Sequence, residues 1–114
     1  MLKTPRFGQF QATVHKDHTA DIAYIVFPDY WGRGYAKEAC RRIITYLFED
    51  MRCAVVSVLI DTENVKSVRL VEALGFIRKE ILIGMAVIRG RKSDEFRYEI
   101  TVSNWRPLAE EPRF

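Results

Sequence analysis

The chain has 114 residues, of which 48% are hydrophobic and 29% are charged, and its formal net charge is +3. This length and composition predict a single globular domain over residues 1–114 and exclude a disordered chain. No apolar run reaches the roughly 18 residues of a membrane span and no signal peptide is visible, so we expect a cytoplasmic protein. The mild positive charge suits an anionic small ligand as well as nucleic acid.

The first two segments predict a hairpin of strands. Residues 7–14 alternate and place apolar side chains on one face, and residues 20–27 are rich in Ile, Val, Tyr and Phe and end before Pro28. Between them lies a polar turn. Histidine is suited to acid–base catalysis, but this turn is expected to point His15 and His18 away from a site, into solvent.

The spacing of apolar residues changes to three and four after the second strand. It predicts a helix from about Gly34 to Asp50 with one buried face. The stripe consists of Ala36, Ala39, Cys40, Ile43, Ile44, Leu47, Phe48 and Met51. Cys40 is therefore expected to be buried. Two cysteines are too few for a disulfide scaffold, and neither has metal-site spacing with a histidine, so no metal is predicted.

The second half of the chain predicts a strand, a helix and two strands. Residues 54–60 form a β-branched run that we expect to be buried on both faces. Residues 65–74 predict a short helix that Gly75 ends. Two further strands are predicted at 76–83 and 96–102. This order of elements predicts an α+β domain with a mixed, mostly antiparallel sheet and two helices packed against it.

The segment Trp31-Gly32-Arg33-Gly34-Tyr35-Ala36 lies between the second strand and the first helix. A helix start carries free N–H groups and partial positive charge, and glycines let the backbone approach an anion closely. The segment therefore fits a phosphate cradle, and it also fits an ordinary tight turn. It is not a P-loop, since Gly-Lys-Ser/Thr is absent, nor a Rossmann fingerprint, since residue 37 is lysine.

Two blocks of this sequence resemble the GNAT N-acetyltransferases. The family's acetyl-coenzyme A loop has the pattern Gln/Arg-x-x-Gly-x-Gly/Ala, and Gly34 and Ala36 match its last two fixed positions. Trp31, where the family has Gln or Arg, resembles the RimJ/RimL-like branch that acetylates the N-termini of ribosomal proteins. The second block, Asn64-Val65-Lys66-Ser67 followed by Leu74-Gly75-Phe76, resembles the same branch.

The resemblance covers about residues 7–105, with Trp105 closing a last strand, and it implies acetyl-CoA as the cosubstrate. It places the pyrophosphate on the amides of Gly32, Arg33, Gly34, Tyr35 and Ala36, and the pantetheine arm beside Ile25, Val26 and Phe27. Asn64 matches an asparagine that contacts this arm, and it also suits a helix N-cap. Lys37 and Arg41 either offset ligand charge or form a solvated helix face.

Acetyl transfer needs a neutral amine and a proton for the departing thiolate. Ser67 matches a serine proposed as that proton donor, and it is equally an ordinary helix serine, with Tyr98 as a rival donor. Asp21 lies where many relatives carry glutamate and is the candidate base, with Glu95 and Asp94 as rivals. No side chain has to become acetylated, so the resemblance implies direct attack by a protein N-terminus or a small amine.

The family normally has a strand, two helices and another strand before the hairpin, whereas about six residues precede it here. We therefore expect a fragment, or a minimal version whose acceptor side is open or is completed by another subunit. A shortened sheet would expose an edge and apolar surface, which predicts a homodimer. The alternative function is a catalytically weak CoA-binding or interaction module. A nucleic-acid binder is less favoured, because the basic run Arg89–Lys92 is one turn without interleaved aromatic residues.

Overall fold

The structure is a computed structural model that describes residues 8–26, 35–88 and 90–105. Within these residues the elements follow the predicted order: β1 (Gly8–Val14), β2 (Thr19–Val26), α1 (Tyr35–Glu49), β3 (Val55–Asp61), α2 (Val65–Ala73), β4 (Ile77–Ile88) and β5 (Arg91–Thr101). A short 3-10 helix, Val102–Asn104, follows β5. The predicted α+β class is confirmed.

The five strands form one mixed sheet in the order β1-β2-β3-β5-β4. β2 and β3 run parallel and are connected through α1, whereas β1 with β2, β3 with β5, and β4 with β5 are antiparallel. The predicted hairpin of β1 and β2 is confirmed. A parallel pair needs a long crossover, and the helical period after β2 supplies it.

Both helices pack on one face of the sheet. Their buried side chains share a single cluster with inward-facing residues of β2, β3 and β5. On α1 the predicted stripe buries Cys40, Ile44, Leu47 and Phe48. Met51 is 40% exposed, contrary to the prediction, because it lies beyond the last helical residue, Glu49. Neither of the described helices is long and apolar enough to cross a membrane.

The expectation that β3 is buried on both faces is wrong for the part of the chain that the structure describes. Val56, Val58 and Ile60 are buried in the core, whereas Leu59 is 49% exposed. Side chains alternate along a strand, so Leu59 leaves the sheet on the side opposite α1 and α2. We call this side the helix-free face. It carries the candidate site.

The ends of β4 and β5 differ from the prediction. The charged turn expected at 90–94 is shorter, because β5 already begins at Arg91. Charged side chains on a solvated hairpin do not prevent backbone pairing. The start of β5 that was predicted from composition is therefore wrong. Trp105 does not close a strand either: β5 ends at Thr101 and the 3-10 helix comes between them.

The predicted stop of α2 at Gly75 is confirmed. Gly75 has a φ of 100°, which favours glycine, and its N–H donates to the carbonyl of Glu72. The next residue, Phe76, donates its N–H to the carbonyl of Val71 and is buried. The chain therefore turns directly from α2 into the edge strand β4.

Candidate functional site

The ladder between β2 and β3 covers only half of β2. Thr19–Ile22 pair with Val55–Val58, and no pair joins Ala23–Val26 to β3. β2 stays paired with β1 from Ala20 to Val26, and β3 stays paired with β5 along its whole length. The two parallel strands therefore separate after Ile22. Beyond this residue, the backbone groups of β2 on the β3 side have no ladder partner among the described residues.

This unpaired half of β2 contains Ile25 and Val26, two of the residues predicted to bind a coenzyme arm; Phe27 lies outside the described residues. An extended ligand that carries amide groups pairs with a free strand edge as a peptide does. The backbone groups at this edge of β2 are therefore suited to pair with a pantetheine arm. The contacts themselves stay a prediction.

The predicted phosphate cradle is described only at its end. Gly32, Arg33 and Gly34 lie outside the described residues, whereas Tyr35 and Ala36 are the first residues of α1. The N-terminus of α1, whose first N–H groups have no partner within the helix, therefore directly follows the predicted cradle. The side chains of Lys37 and Arg41, also on α1, are exposed, and their contribution to ligand charge stays a prediction.

A groove of about 600 Å³ lies on the helix-free face where β2 and β3 separate. Its polar lining includes Gln11, Thr13, Asp21, Ser57, Glu95 and Arg97. Thr13, Asp21 and Ser57 are register partners across β1, β2 and β3, so their side chains leave the sheet on the same face. The sheet register therefore brings the predicted base, Asp21, into the groove.

The carboxylate of Asp21 forms a hydrogen bond with His15, a residue predicted to point into solvent. Nε2 of His15 lies 2.8 Å from Oδ2 of Asp21, and the two side chains are 44% and 62% exposed. The expectation that His15 is exposed is confirmed, but the expectation that it points away from Asp21 is wrong. His15 follows Thr13 by two residues and thus leaves the chain on the groove side. His18 has a φ of 67° and is held through its backbone, which accepts from the N–H of Ala54 at 2.6 Å.

The two rival bases lie on opposite sides of β5. Glu95 lines the groove. Asp94 faces the other way, and its Oδ1 accepts the N–H of Gly84 at 2.8 Å. Gly84 has a φ of 61° within the irregular stretch of β4 between Leu82 and Ala86. Asp94 therefore holds the backbone of β4, and Glu95 remains the rival of Asp21.

Negative charge exceeds positive charge at the groove. Arg97 donates from Nε to Oε1 of Glu80 at 2.6 Å and from a terminal nitrogen to Glu99. These bonds raise the pKa of Arg97 and commit its charge to the two carboxylates. Two carboxylates, Asp21 and Glu95, therefore line the groove beside a guanidinium whose charge is already paired, although the whole chain has a net charge of +3. The groove therefore suits a cation.

Asn64 and Ser67 lie at the start of α2 and do not line the groove. Oδ1 of Asn64 accepts the N–H of Ser67 at 3.2 Å, which confirms the predicted N-cap. Both residues follow β3, at the end where it has separated from β2. They are thus on the same end of the sheet as the free edge of β2. Their contacts with a coenzyme arm or a thiolate stay predictions.

Tyr98, the rival proton donor, is buried on the helix side of the sheet. Its hydroxyl donates to Oε2 of Glu72 at 2.8 Å and accepts from Nε of Arg78 at 3.3 Å. Burial raises the pKa of the Tyr98 phenol, which makes it a poorer acid. The guanidinium of Arg78 also lies 3.7 Å from the ring centroid of Phe96. These contacts connect α2 to β4 and β5, and Tyr98 does not reach the groove.

Neither cysteine of the chain is suited to carry an acyl group. Burial raises the pKa of Cys40 to about 12, and it also raises the pKa of Cys53. Both thiols are therefore protonated and inert at neutral pH. Within residues 8–26, 35–88 and 90–105, no three His, Cys, Asp or Glu side chains are close enough together to hold a metal ion.

The sequence of this chain is similar to those of N-acetyltransferases. The family model described as "Acetyltransferase (GNAT) domain" matches residues 5–77. The "Uncharacterized N-acetyltransferase YnaD" of Bacillus subtilis is 30% identical over 90 residues, which is 78% of this chain and 52% of YnaD. Spermidine N(1)-acetyltransferase of Vibrio cholerae is 29% identical over 87 residues, which is 76% of this chain and 50% of that protein.

One solved structure similar to this chain is spermidine/spermine N-acetyltransferase SpeG from Vibrio cholerae in complex with manganese ions. Its TM-score is 0.82 at 26% identity, over 91% of this chain and 62% of that chain. The present chain spans about half the length of the curated relatives it matches.

Proposed function

Because this chain belongs to the GNAT acetyltransferase family and has its fold, we propose that it transfers an acetyl group from acetyl-CoA to a primary amine. The observation that carries this proposal is the separation of β2 and β3 after Ile22, which creates a free strand edge beside an acidic groove. When bound, acetyl-CoA supplies the acetyl thioester that a neutral amine attacks directly. The inert state of Cys40 and Cys53 supports direct attack over an acyl-enzyme.

The proposed acceptor is a cationic amine. Carboxylates in a groove concentrate cations and orient them. A polyamine carries several positive charges, whereas a protein N-terminus carries one, so the excess charge around Asp21 and Glu95 favours the polyamine. The Vibrio cholerae relative that both comparisons found is named a spermidine acetyltransferase. A ribosomal-protein N-terminus is the second candidate, supported by Trp31 and the Asn64–Ser67 block.

Asp21 and Ser67 move protons in this proposal. A primary amine of pKa about 10 is protonated at neutral pH and must lose a proton before it attacks. Asp21 faces the groove and takes this proton, directly or through a water molecule. Ser67 lies at the open end of the β2–β3 separation and returns a proton to the departing thiolate. Ile25 and Val26 bind the coenzyme arm through their backbone.

The function is tested by thiol release from acetyl-CoA with spermidine and with an N-terminal peptide as acceptors. We expect release that depends on the acceptor and is faster with spermidine. Acetyl-CoA binding without turnover on either acceptor would favour the CoA-binding module. DNA binding that ignores acetyl-CoA and falls steeply with salt would favour a nucleic-acid binder.

Substituting Ser67 by alanine is expected to lower turnover about tenfold and leave acetyl-CoA affinity unchanged, because the proton donor is lost. The helix cap survives, since Asn64 accepts from the backbone N–H of residue 67. Thiol release gives kcat, and calorimetry gives the affinity. Ser103→Ala, in the 3-10 helix, is the control. An unaltered kcat in Ser67→Ala would remove Ser67 as the donor.

A homodimer and a cytoplasmic location are further parts of this proposal. β4 is an edge strand of the described sheet, and it leaves Ile77, Ile81 and Ile83 exposed by 53%, 50% and 72%. Exposed apolar side chains along an edge strand are typical of a surface that another chain covers. This supports the dimer.

A further inference from the structure

The imidazole of His15 is held against the groove carboxylate by a closed turn. The backbone N–H of His15 donates to the carbonyl of Thr19 at 2.9 Å, and the Thr19 hydroxyl donates to Oδ1 of Asp17 at 2.6 Å. Thr13 is the register partner of Asp21, and His15 comes two residues later on the same side. Nε2 of His15 is then 2.8 Å from Oδ2 of Asp21. The contact is thus built into the hairpin.

Among the described residues, each element around Asp21 contributes few other charged groups, and the turn adds the exposed Lys16. β1 and β3 contribute uncharged register partners, Thr13 and Ser57. From β5, Glu99 is the partner of Ser57, and its carboxylate is bonded to Arg97. Farther along the groove, β5 contributes Glu95.

The turn itself contributes Asp17, whose pKa is lowered mainly by the hydrogen bond from the Thr19 hydroxyl. Carboxyls titrate near pH 4 and amines near pH 10, whereas histidine titrates near pH 6.5. The chain has two histidines, His15 and His18. Among these described groups around Asp21, His15 is the one histidine, and it is in direct contact with the carboxylate.

We infer that His15 is a positioning residue for Asp21 and that its protonation weakens the acceptor site in acid. The inference rests on the proposed function, in which Asp21 meets the amine. Neutral His15 donates its Nε2–H to Oδ2 and fixes the carboxylate, while Oδ1 has no hydrogen-bond partner among the described residues. When solvent protonates Nδ1, the His15–Asp21 pair becomes neutral, so it attracts a cation less and takes a proton less readily.

The first test is calorimetric binding of spermidine to the intact chain without acetyl-CoA. Spermidine gains some charge in acid, because repulsion between its ammonium groups leaves one amine partly neutral at pH 8, and this change acts on every variant alike. We therefore compare the wild type with His15→Gln at each pH, since glutamine donates the same hydrogen bond and does not titrate. The affinity of the wild type relative to His15→Gln is expected to fall about fivefold from pH 8 to pH 5.5, from the loss of one nearby charge attraction.

The control is His18→Asn in the same turn, since asparagine tolerates the positive φ of residue 18. It should keep the pH dependence of the wild type. The same dependence in His15→Gln as in the wild type would overturn the inference and leave the proposed function intact. No binding of spermidine by the wild type at pH 8 would overturn the acceptor proposal and this inference together.

The second test is turnover on spermidine at pH 8. His15→Ala is expected to lower kcat about tenfold, because the carboxylate is no longer held, and His15→Gln should restore it to within about twofold of the wild type. The ratio of wild-type to Gln-variant rates removes the ionisation of the acceptor, which both share. This ratio should fall about fivefold from pH 8 to pH 5.5. A ratio independent of pH would overturn the inference.

Discussion

Asp21→Asn is expected to lower turnover about a hundredfold while acetyl-CoA affinity stays unchanged, because a general base contributes about 10²- to 10⁴-fold to catalysis. Asparagine has nearly the same shape and still offers a hydrogen-bonding group to His15, but it cannot take the proton of the amine. The aspartate side chain is 62% exposed, so a weaker contact with His15 should change the free energy of unfolding by at most about 1 kcal/mol. Thiol release gives kcat, calorimetry gives the affinity, and urea unfolding verifies the fold.

Glu95→Gln is the matched control for Asp21→Asn, because both carboxylates line the same groove on different strands. We expect it to raise the KM for spermidine about fivefold, since one nearby charge is lost, and to leave kcat within about threefold of the wild type. A larger loss of kcat in Glu95→Gln than in Asp21→Asn would identify Glu95 as the base. An unchanged kcat in both variants would mean that the amine reaches the site already neutral.

The sequence predicted the elements well and the ends of the last two strands poorly. α1 was predicted at 34–50 and is observed at Tyr35–Glu49, because a continuous apolar stripe at helical spacing leaves little choice of register. Apolar residues on both faces of β3 look alike in sequence, whether or not anything covers the second face. The exposure of Leu59 therefore required the structure. Burial depends on what packs against a strand, which its own residues do not encode.

The candidate site was predictable in part. The resemblance places the coenzyme arm beside Ile25 and Val26, whereas the alternation of residues alone does not show that β2 and β3 separate there. The His15–Asp21 contact had a signal in the sequence: a short turn fixes the register of a hairpin, and that register puts Thr13 opposite Asp21 with His15 just beyond. The acidic groove had no signal in the sequence, because the net charge of +3 is a sum over the whole chain and does not show where charges of one sign lie together. Only the register of β2, β3 and β5 places Asp21 and Glu95 on the same groove.

Trp105→Ala is expected to destabilise the chain by about 3–5 kcal/mol, which is typical of removing a large aromatic side chain from a core. Trp105 is fully buried, and its ring centroid lies 6.3 Å from that of Phe48. Its Nε1–H donates to Oγ1 of Thr45 at 3.1 Å, so it also fixes the segment that follows β5 to α1. Urea unfolding of the wild type and the variant measures the difference.

Two matched variants separate packing from hydrogen bonding at this position. Thr45→Ala keeps the indole and removes its acceptor, and it should cost about 1–3 kcal/mol because a buried N–H is left unpaired. Trp105→Phe keeps part of the ring volume and should fall between Thr45→Ala and Trp105→Ala. Trp105 is absent from the groove lining, so the folded fraction of each variant should turn over at the wild-type rate. If Trp105→Ala lowers the free energy of unfolding by less than about 1 kcal/mol, this would contradict the placement of Trp105 in the core.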